Sequence, residues 1–270
     1  MKNPTVQEIT TALESLAPLG YAEDFDNVGL LLGDQNASVS GVLISLDLTL
    51  EVIEEALSSN CNFLVVFHPI IFSPLKRISG GDYVQVLVQK ALENKLNVYS
   101  PHTALDNSPS GVSERLAQEI GLQNTRCLIP KKPNFGDFFK DEVGLGRFGE
   151  LEKPIKIEDF LALLKDKFST GVIKHSALVY KEISKVAVLG GSGAFSIPEA
   201  ILAGAQVLVT ADLKYHDFFS AQGKIILLDI GHFESEQFTL ELLLMHIREN
   251  FPNFANLKTY SQTNPVNYYK

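Results

Sequence analysis

The stretch KVAVLGGSGAFSIPEAILAGAQVLVTAD, Lys185–Asp212, reads as a strand, a glycine turn, a short helix and a second strand. Its two apolar runs, KVAVLGG (Lys185–Gly191) and AQVLVTAD (Ala205–Asp212), bracket a helix-like segment at Ile197–Gly204. Neither run alternates strictly between apolar and polar residues, which is how strands covered on both faces read. A third run, KIILLDIG (Lys224–Gly231), follows another helical segment, Leu213–Ala221. The first half repeats the arrangement with GVLISLD (Gly41–Asp47), NFLVVFH (Asn62–His68) and KLNVYS (Lys95–Ser100), and with helices expected at Leu50–Ser59, Tyr83–Asn94 and Val112–Ile120. This order predicts an α/β protein of two similar lobes, each with a largely parallel sheet of buried strands.

The lobes are expected at about 1–125 and about 157–270, with a connector at about 126–156 that has some extended structure of its own. The last residues, TYSQTNPVNYYK, read as an extended tail. With 270 residues and 45% hydrophobic content the chain can bury a sizeable core. A net charge of -9 argues against sequence-independent nucleic-acid binding, which needs a basic surface. Cys61 and Cys127 are isolated, so neither a disulfide framework nor a thiolate zinc site is expected, in keeping with a reducing cytoplasm. The N-terminal segment lacks the apolar core of a secretory signal, and no stretch approaches the ~18 apolar residues of a membrane span. A soluble, cytoplasmic protein with no membrane contact is expected.

The chemistry gathers at strand ends, where ligands collect in such sheets. Four of the six histidines fall in FHPIIF (Phe67–Phe72), PHTALDN (Pro101–Asn107), DLKYHD (Asp212–Asp217) and DIGHFESE (Asp229–Glu236). His102 and Asp106 are four apart, as are His232 and Glu236, so on a helix or tight turn each pair projects from one face. Any one such pair is as readily a surface or capping contact. Two pairs plus His68, each just past an apolar run, read as a metal site. A mixed imidazole and carboxylate shell suits Zn, Fe, Mn or Co and belongs to catalytic rather than structural sites.

Other residues have two readings. Asn27, in DFDNVGLLLG (Asp24–Gly33), either lines the site or shapes a tight turn. Asp47 either lines the site or caps the helix near Leu50, a role for which Thr49 competes. Thr103 is a site-lining candidate beside His102. Lys214 and His216 offer acid/base groups if DLKYHD faces the metal, or else belong to a helix N-terminus opened by Asp212. The turn Leu189–Ile201 lacks the third glycine of a dinucleotide fingerprint and the Lys-Ser/Thr ending of a P-loop. His175 and His246 carry no paired signature and read as structural.

Taken in order, DFDNVGLLLG, SLDLT, FHPIIF, SPHTALDN, GLGRFGEL, VLGGSG, TADLKYHD and GHFESE resemble the Nif-three-like family (NGG-one-interacting-factor-three-like), many of whose members are labelled GTP cyclohydrolase 1 type 2 homologue. The resemblance implies a homohexamer built as a trimer of dimers and a dinuclear metal site. It assigns one ion to His68, Asp106 and Glu236, and a second to His232 with Glu236 as a bridge and His102 adjacent, as ligand or behind the ligands. Many members read His-His-Pro where this chain reads Phe67-His68-Pro69, so one ligand of the second ion is lost and one or two ions per chain are expected. The short connector leaves no room for the regulatory-type domain that some members insert. A metal-dependent hydrolase of an unidentified small molecule is the leading functional expectation, because a divalent ion with an open position lowers the pKa of water toward about 7. The alternative is a non-enzymatic metal-handling or regulatory interaction protein.

Overall fold

The computed structural model describes residues 3–132 and 142–269, which form two compact units. The first unit comprises the chain up to Leu105 together with Thr239–Pro265, and the second comprises Asp106–Phe238 with the residues from Val266. In chain order the elements are α1 (Val6–Leu16), β1 (Gly29–Leu32), β2 (Val42–Ser45), α2 (Leu50–Ser58), β3 (Phe63–Val66), α3 (Tyr83–Glu93), β4 (Asn97–Ser100), α4 (His102–Asn107), α5 (Val112–Ile120), β5 (Gln123–Pro130), β6 (Gly144–Lys156), α6 (Ile157–Lys167), β7 (Lys174–His175), β8 (Glu182–Ser192), α7 (Ile197–Leu202), β9 (Val207–Ala211), β10 (Ile226–Asp229), α8 (His232–Glu236), α9 (Thr239–Asn250) and β11 (Asn256–Lys258).

In the first unit the sheet order is β1-β4-β3-β2-β11, parallel throughout except for β1, which runs antiparallel to β4. Leu43, Leu64, Val66 and Val98 pack against Val52, Ile53 and Ala56 of α2 and Leu87, Val88 and Ala91 of α3. Polar caps start these helices: the Thr49 hydroxyl accepts from the Val52 amide and the Asp82 carboxylate from the Gln85 amide.

The second unit's sheet has the order β5-β6-β8-β9-β10-β7. Its centre, β8-β9-β10, is parallel, while β5, β6 and β7 pair antiparallel. Both faces of the centre are covered, which explains its unbroken apolar runs. Val186, Val188, Val207, Val209, Ile226 and Leu228 meet α5 and α6 on one side. Ala187, Leu208 and Leu227 meet Ile197 and Ala200 of α7 on the other.

The unit boundaries fall elsewhere than the lobes read from the sequence. Residues 106–125 belong to the second unit, and α9 and β11 return to the first. The expected connector is largely sheet: β5 and β6 are paired from Gln123–Glu150 to Pro130–Gly144, the Lys131 amide donates to the Val143 carbonyl at 2.8 Å just beyond, and residues 133–141 lie outside the described residues. The helix expected over Leu213–Ala221 shrinks to a 3-10 turn at Asp217–Ala221, because Asp212 sits at φ +55° and the Asp217 carboxylate takes the Lys214 amide. Among the described residues no helix is long and apolar enough to cross a membrane.

Candidate metal centre

His232 opens α8 directly after Gly231, and Glu236 lies one turn further on the same face. The His232 Nδ1 is 2.8 Å from Asp212 Oδ2, at the end of β9, and its Nε2 is 3.2 Å from Glu236 Oε2. Glu236 is buried, at 4% exposure. If Nδ1 donates its proton to Asp212, the neutral ring aims a lone pair at a carboxylate oxygen, and either a second proton on Nε2 or a cation between the two acceptors satisfies that approach. The separation is close to that of two ligands of one ion, since bonds of about 2.0–2.2 Å at tetrahedral angles place donor atoms roughly 3.3–3.6 Å apart.

The approach depends on glycine at the end of β8. Gly191 has φ +69°, and a Cβ there would run into Glu236 Oε1. The Gly191 amide donates to Ser235 Oγ at 2.9 Å, and that hydroxyl donates to the His232 carbonyl at 2.8 Å, which ties the strand to the first turn of α8. Burial first, and then the charges of Glu234, Asp229 and Asp212, push the Tyr268 phenol above its usual pKa. The same carboxylate field favours a bound cation.

The first unit contains two pairs of the same design. His68, just past β3, places Nδ1 2.9 Å from Asp47 Oδ1. Thr49 caps α2, so Asp47 is the partner of His68 and not a helix cap. His102 places Nδ1 2.9 Å from Asp26, whose side chain is fully buried and also accepts from the Thr103 amide at 3.1 Å and the Thr103 hydroxyl at 2.5 Å. Burial alone would raise the Asp26 pKa, yet the bonds from His102 and Thr103, the His102 charge and the Asn27 amide bring it down to about 2. His102 itself holds φ +24°, an uncommon backbone state for a non-glycine residue.

Asp106 is half-buried in α4. The Asn27 side chain donates to the Ile71 carbonyl at 2.5 Å, which is the turn-shaping role. Lys214 and His216 are exposed, and the His216 ring sits in an aromatic cluster with Tyr215 and Phe219. His175 and His246 bond to main-chain carbonyls of Ser176 and Ala12, as structural histidines do. Asp26 and Asp229 stand in DFDNVGLLLG and DIGHFESE with no role of their own in the sequence. Their only signal is an acid in a loop or at a strand end, because the groups they hold, the His102 ring for Asp26 and the Leu213 and Gly231 amides for Asp229, are far away in sequence or across a turn.

Two α/β units, with imidazoles held by aspartates and a His/Glu pair of a kind that could hold a divalent ion, define the class of fold and candidate site. The chain belongs to the Duf34/NIF3 (NGG1p interacting factor 3) family, which it matches over residues 4–265. A Clostridium acetobutylicum protein named GTP cyclohydrolase 1 type 2 homolog is 32% identical over 86% of this chain and 85% of its own. A Staphylococcus epidermidis protein of the same name is 26% identical over 93% of this chain and 97% of its own. Among solved structures, the Staphylococcus aureus hypothetical protein SA1388 superposes with a TM-score of 0.91 at 29% identity, covering 99% of this chain and 100% of the other. A Bacillus cereus protein related to NIF3 gives 0.92 at 23% identity with full coverage of both, a likeness of fold.

Proposed function

We propose that this protein binds a divalent transition metal ion (Zn, Fe, Mn or Co) through His232 and Glu236, with Asp106 a further ligand of the Glu236 metal site only as the family resemblance implies, and that it is a cytoplasmic metal-dependent hydrolase of a small molecule. The observation that carries this reading is the 3.2 Å approach of His232 Nε2 to the buried Glu236 carboxylate while Nδ1 is held by Asp212. A carboxylate behind a ligating imidazole fixes its tautomer and raises its basicity, the arrangement that metal-ligating histidines adopt almost without exception. His68 and His102, in the first unit, carry the same kind of aspartate partner.

A divalent ion in such a site supplies Lewis-acid polarisation of a carbonyl or phosphoryl oxygen and a hydrolytic nucleophile near neutral pH. The chain's own part is orientation: Asp212 keeps the His232 proton on Nδ1, and Gly191 lets the Glu236 carboxylate lie against the strand end. The name shared by the curated relatives makes GTP the first nucleotide to assay. The rival reading, a non-enzymatic metal-handling protein, is favoured by one observation: a buried Phe67 stands where the resemblance expects a ligand. The functional unit in either reading is a homohexamer.

Elemental analysis of untagged protein, before and after Glu236→Gln, tests metal binding. The unmodified chain should retain a transition metal and the variant should lose most of it. Full occupancy of the variant would remove Glu236 from the ligand set. Turnover of the metal-loaded protein against nucleotides, phosphoesters and cyclic amides, with His68→Ala as the blank, separates hydrolase from metal carrier.

A further inference from the structure

Asp229, the last residue of β10, is 97% buried yet belongs to no pair so far described. Its two carboxylate oxygens serve different loops. Oδ2 accepts from the Leu213 amide at 3.0 Å, and Oδ1 accepts from the Gly231 amide at 3.1 Å. Leu213 follows Asp212 directly, and Gly231 directly precedes His232. One carboxylate therefore grips the main chain beside both members of the imidazole pair. Lys174 on β7 completes the arrangement, with Nζ 2.6 Å from Oδ2 and 3.5 Å from the Leu213 carbonyl.

Asp212 sits in the left-handed region at φ +55°, an uncommon state for a non-glycine residue, and Gly231 lies at φ +98°, which glycine adopts freely but where a Cβ would collide with the Glu234 carboxylate. A state like that of Asp212 persists only where surrounding contacts over-determine it. The 2.8 Å bond between Asp212 and His232 is thus a consequence of where these two turns are pinned.

We infer that Asp229, neutralised by Lys174, is the positioning residue of this centre: by holding the Leu213 and Gly231 amides it sets the Asp212–His232 pair and so presents the imidazole to a metal ion. The inference rests on the metal reading above, and its test separates the two. Asparagine at 229 keeps the shape but offers one acceptor oxygen for two amide donors, so one turn must be released. Asp229→Asn should weaken Co2+ binding by about 10–100-fold, as loss of a carboxylate behind a ligand does. In the metal-free protein, 15N spectra of the His232 ring should change from one tautomer to a mixture, and Asp212→Asn should do the same.

Lys174 is half exposed, so Lys174→Met should fold; it frees the carboxylate to rock and should shift the tautomer in the same direction with a smaller loss of affinity. If Asp229→Asn fails to fold, Lys174→Met carries the test. Unchanged tautomer and Co2+ affinity in the folded variants, in a protein that loses Co2+ with Glu236→Gln, would overturn the positioning role and leave the metal reading standing. An unmodified chain that takes up no Co2+ would overturn the metal reading itself.

Discussion

Phe67 shows what a single side chain decides here. It is fully buried, its ring centroid 5.0 Å from that of His68 and 5.6 Å, edge-on, from that of His102, so it is a packing wall against two imidazoles rather than a ligand. If the second ion of the family's site needs an imidazole at this position, the unmodified chain should bind one ion tightly and a second weakly. Phe67→His should raise the stoichiometry toward two, since a buried imidazole that gains a metal partner escapes most of the cost of burying a polar ring. Titration calorimetry with Zn2+ on both proteins decides it. Two equally tight ions in the unmodified chain would mean that another group, His102 first, already stands in. The histidines were legible in the sequence because the strand-end pattern is local, and Asp47 and Asp212 stood out with them for the same reason. Their pairing was not legible, and Asp26 least of all: it lies 76 residues from His102, a separation that no periodicity records.

At the level of elements, the runs that read clearly were those whose burial leaves no ambiguity. The strands β2, β3, β4, β9 and β10 all fall inside their predicted spans, β8 contains its predicted run and extends beyond it at both ends, and α5 matches residue for residue. β5 and β6 were read as connector because Pro130, Pro154 and several glycines and lysines break the apolar pattern; Pro130 ends the edge strand β5 and Pro154 lies in the irregular stretch between Glu150 and Ile155 of β6, places where a sheet tolerates proline. The return of β11 to the first sheet is a tertiary choice invisible to local pattern. What holds the chain after β11 is the buried Glu55 of α2, whose carboxylate accepts from the hydroxyls of Thr259 and Ser261 and from the amides of Tyr260 and Ser261. Burial opposes ionisation of Glu55, but these bonds outweigh it and lower its pKa. A carboxylate depressed on folding stabilises the native state above its unfolded pKa, and that stabilisation is lost as pH falls through the folded value. Glu55→Gln should cost about 2 kcal/mol at neutral pH and flatten the acid limb of the stability curve below about pH 4.5. Urea unfolding of both proteins between neutral and acid pH measures this, and parallel curves would show that the anchor does not depend on charge.

For the whole molecule, the proposed assembly is the first thing to measure. The first unit has an apolar groove of about 420 Å³ between α2 and α3, lined by Leu50, Tyr83, Val86 and Leu87, which gives a self-associating chain a surface to use. Light scattering at micromolar concentration should report about six chains, in the closed symmetry usual for homo-oligomers. A monodisperse monomer would end that proposal. The interleaving of the two units has a separate consequence for synthesis. β2 pairs along one edge with β11, which follows it by more than two hundred residues, and Asp106–Phe238, with every strand of the second unit's sheet, is translated in between. At ribosomal speeds of about 5–20 residues per second, that edge waits roughly 10–40 s for its partner. During this interval the nascent first unit exposes an unpaired strand edge, the surface on which chains aggregate and which chaperones shield. The second unit meanwhile has all its sheet strands in hand, so on the ribosome the unit begun later can finish first.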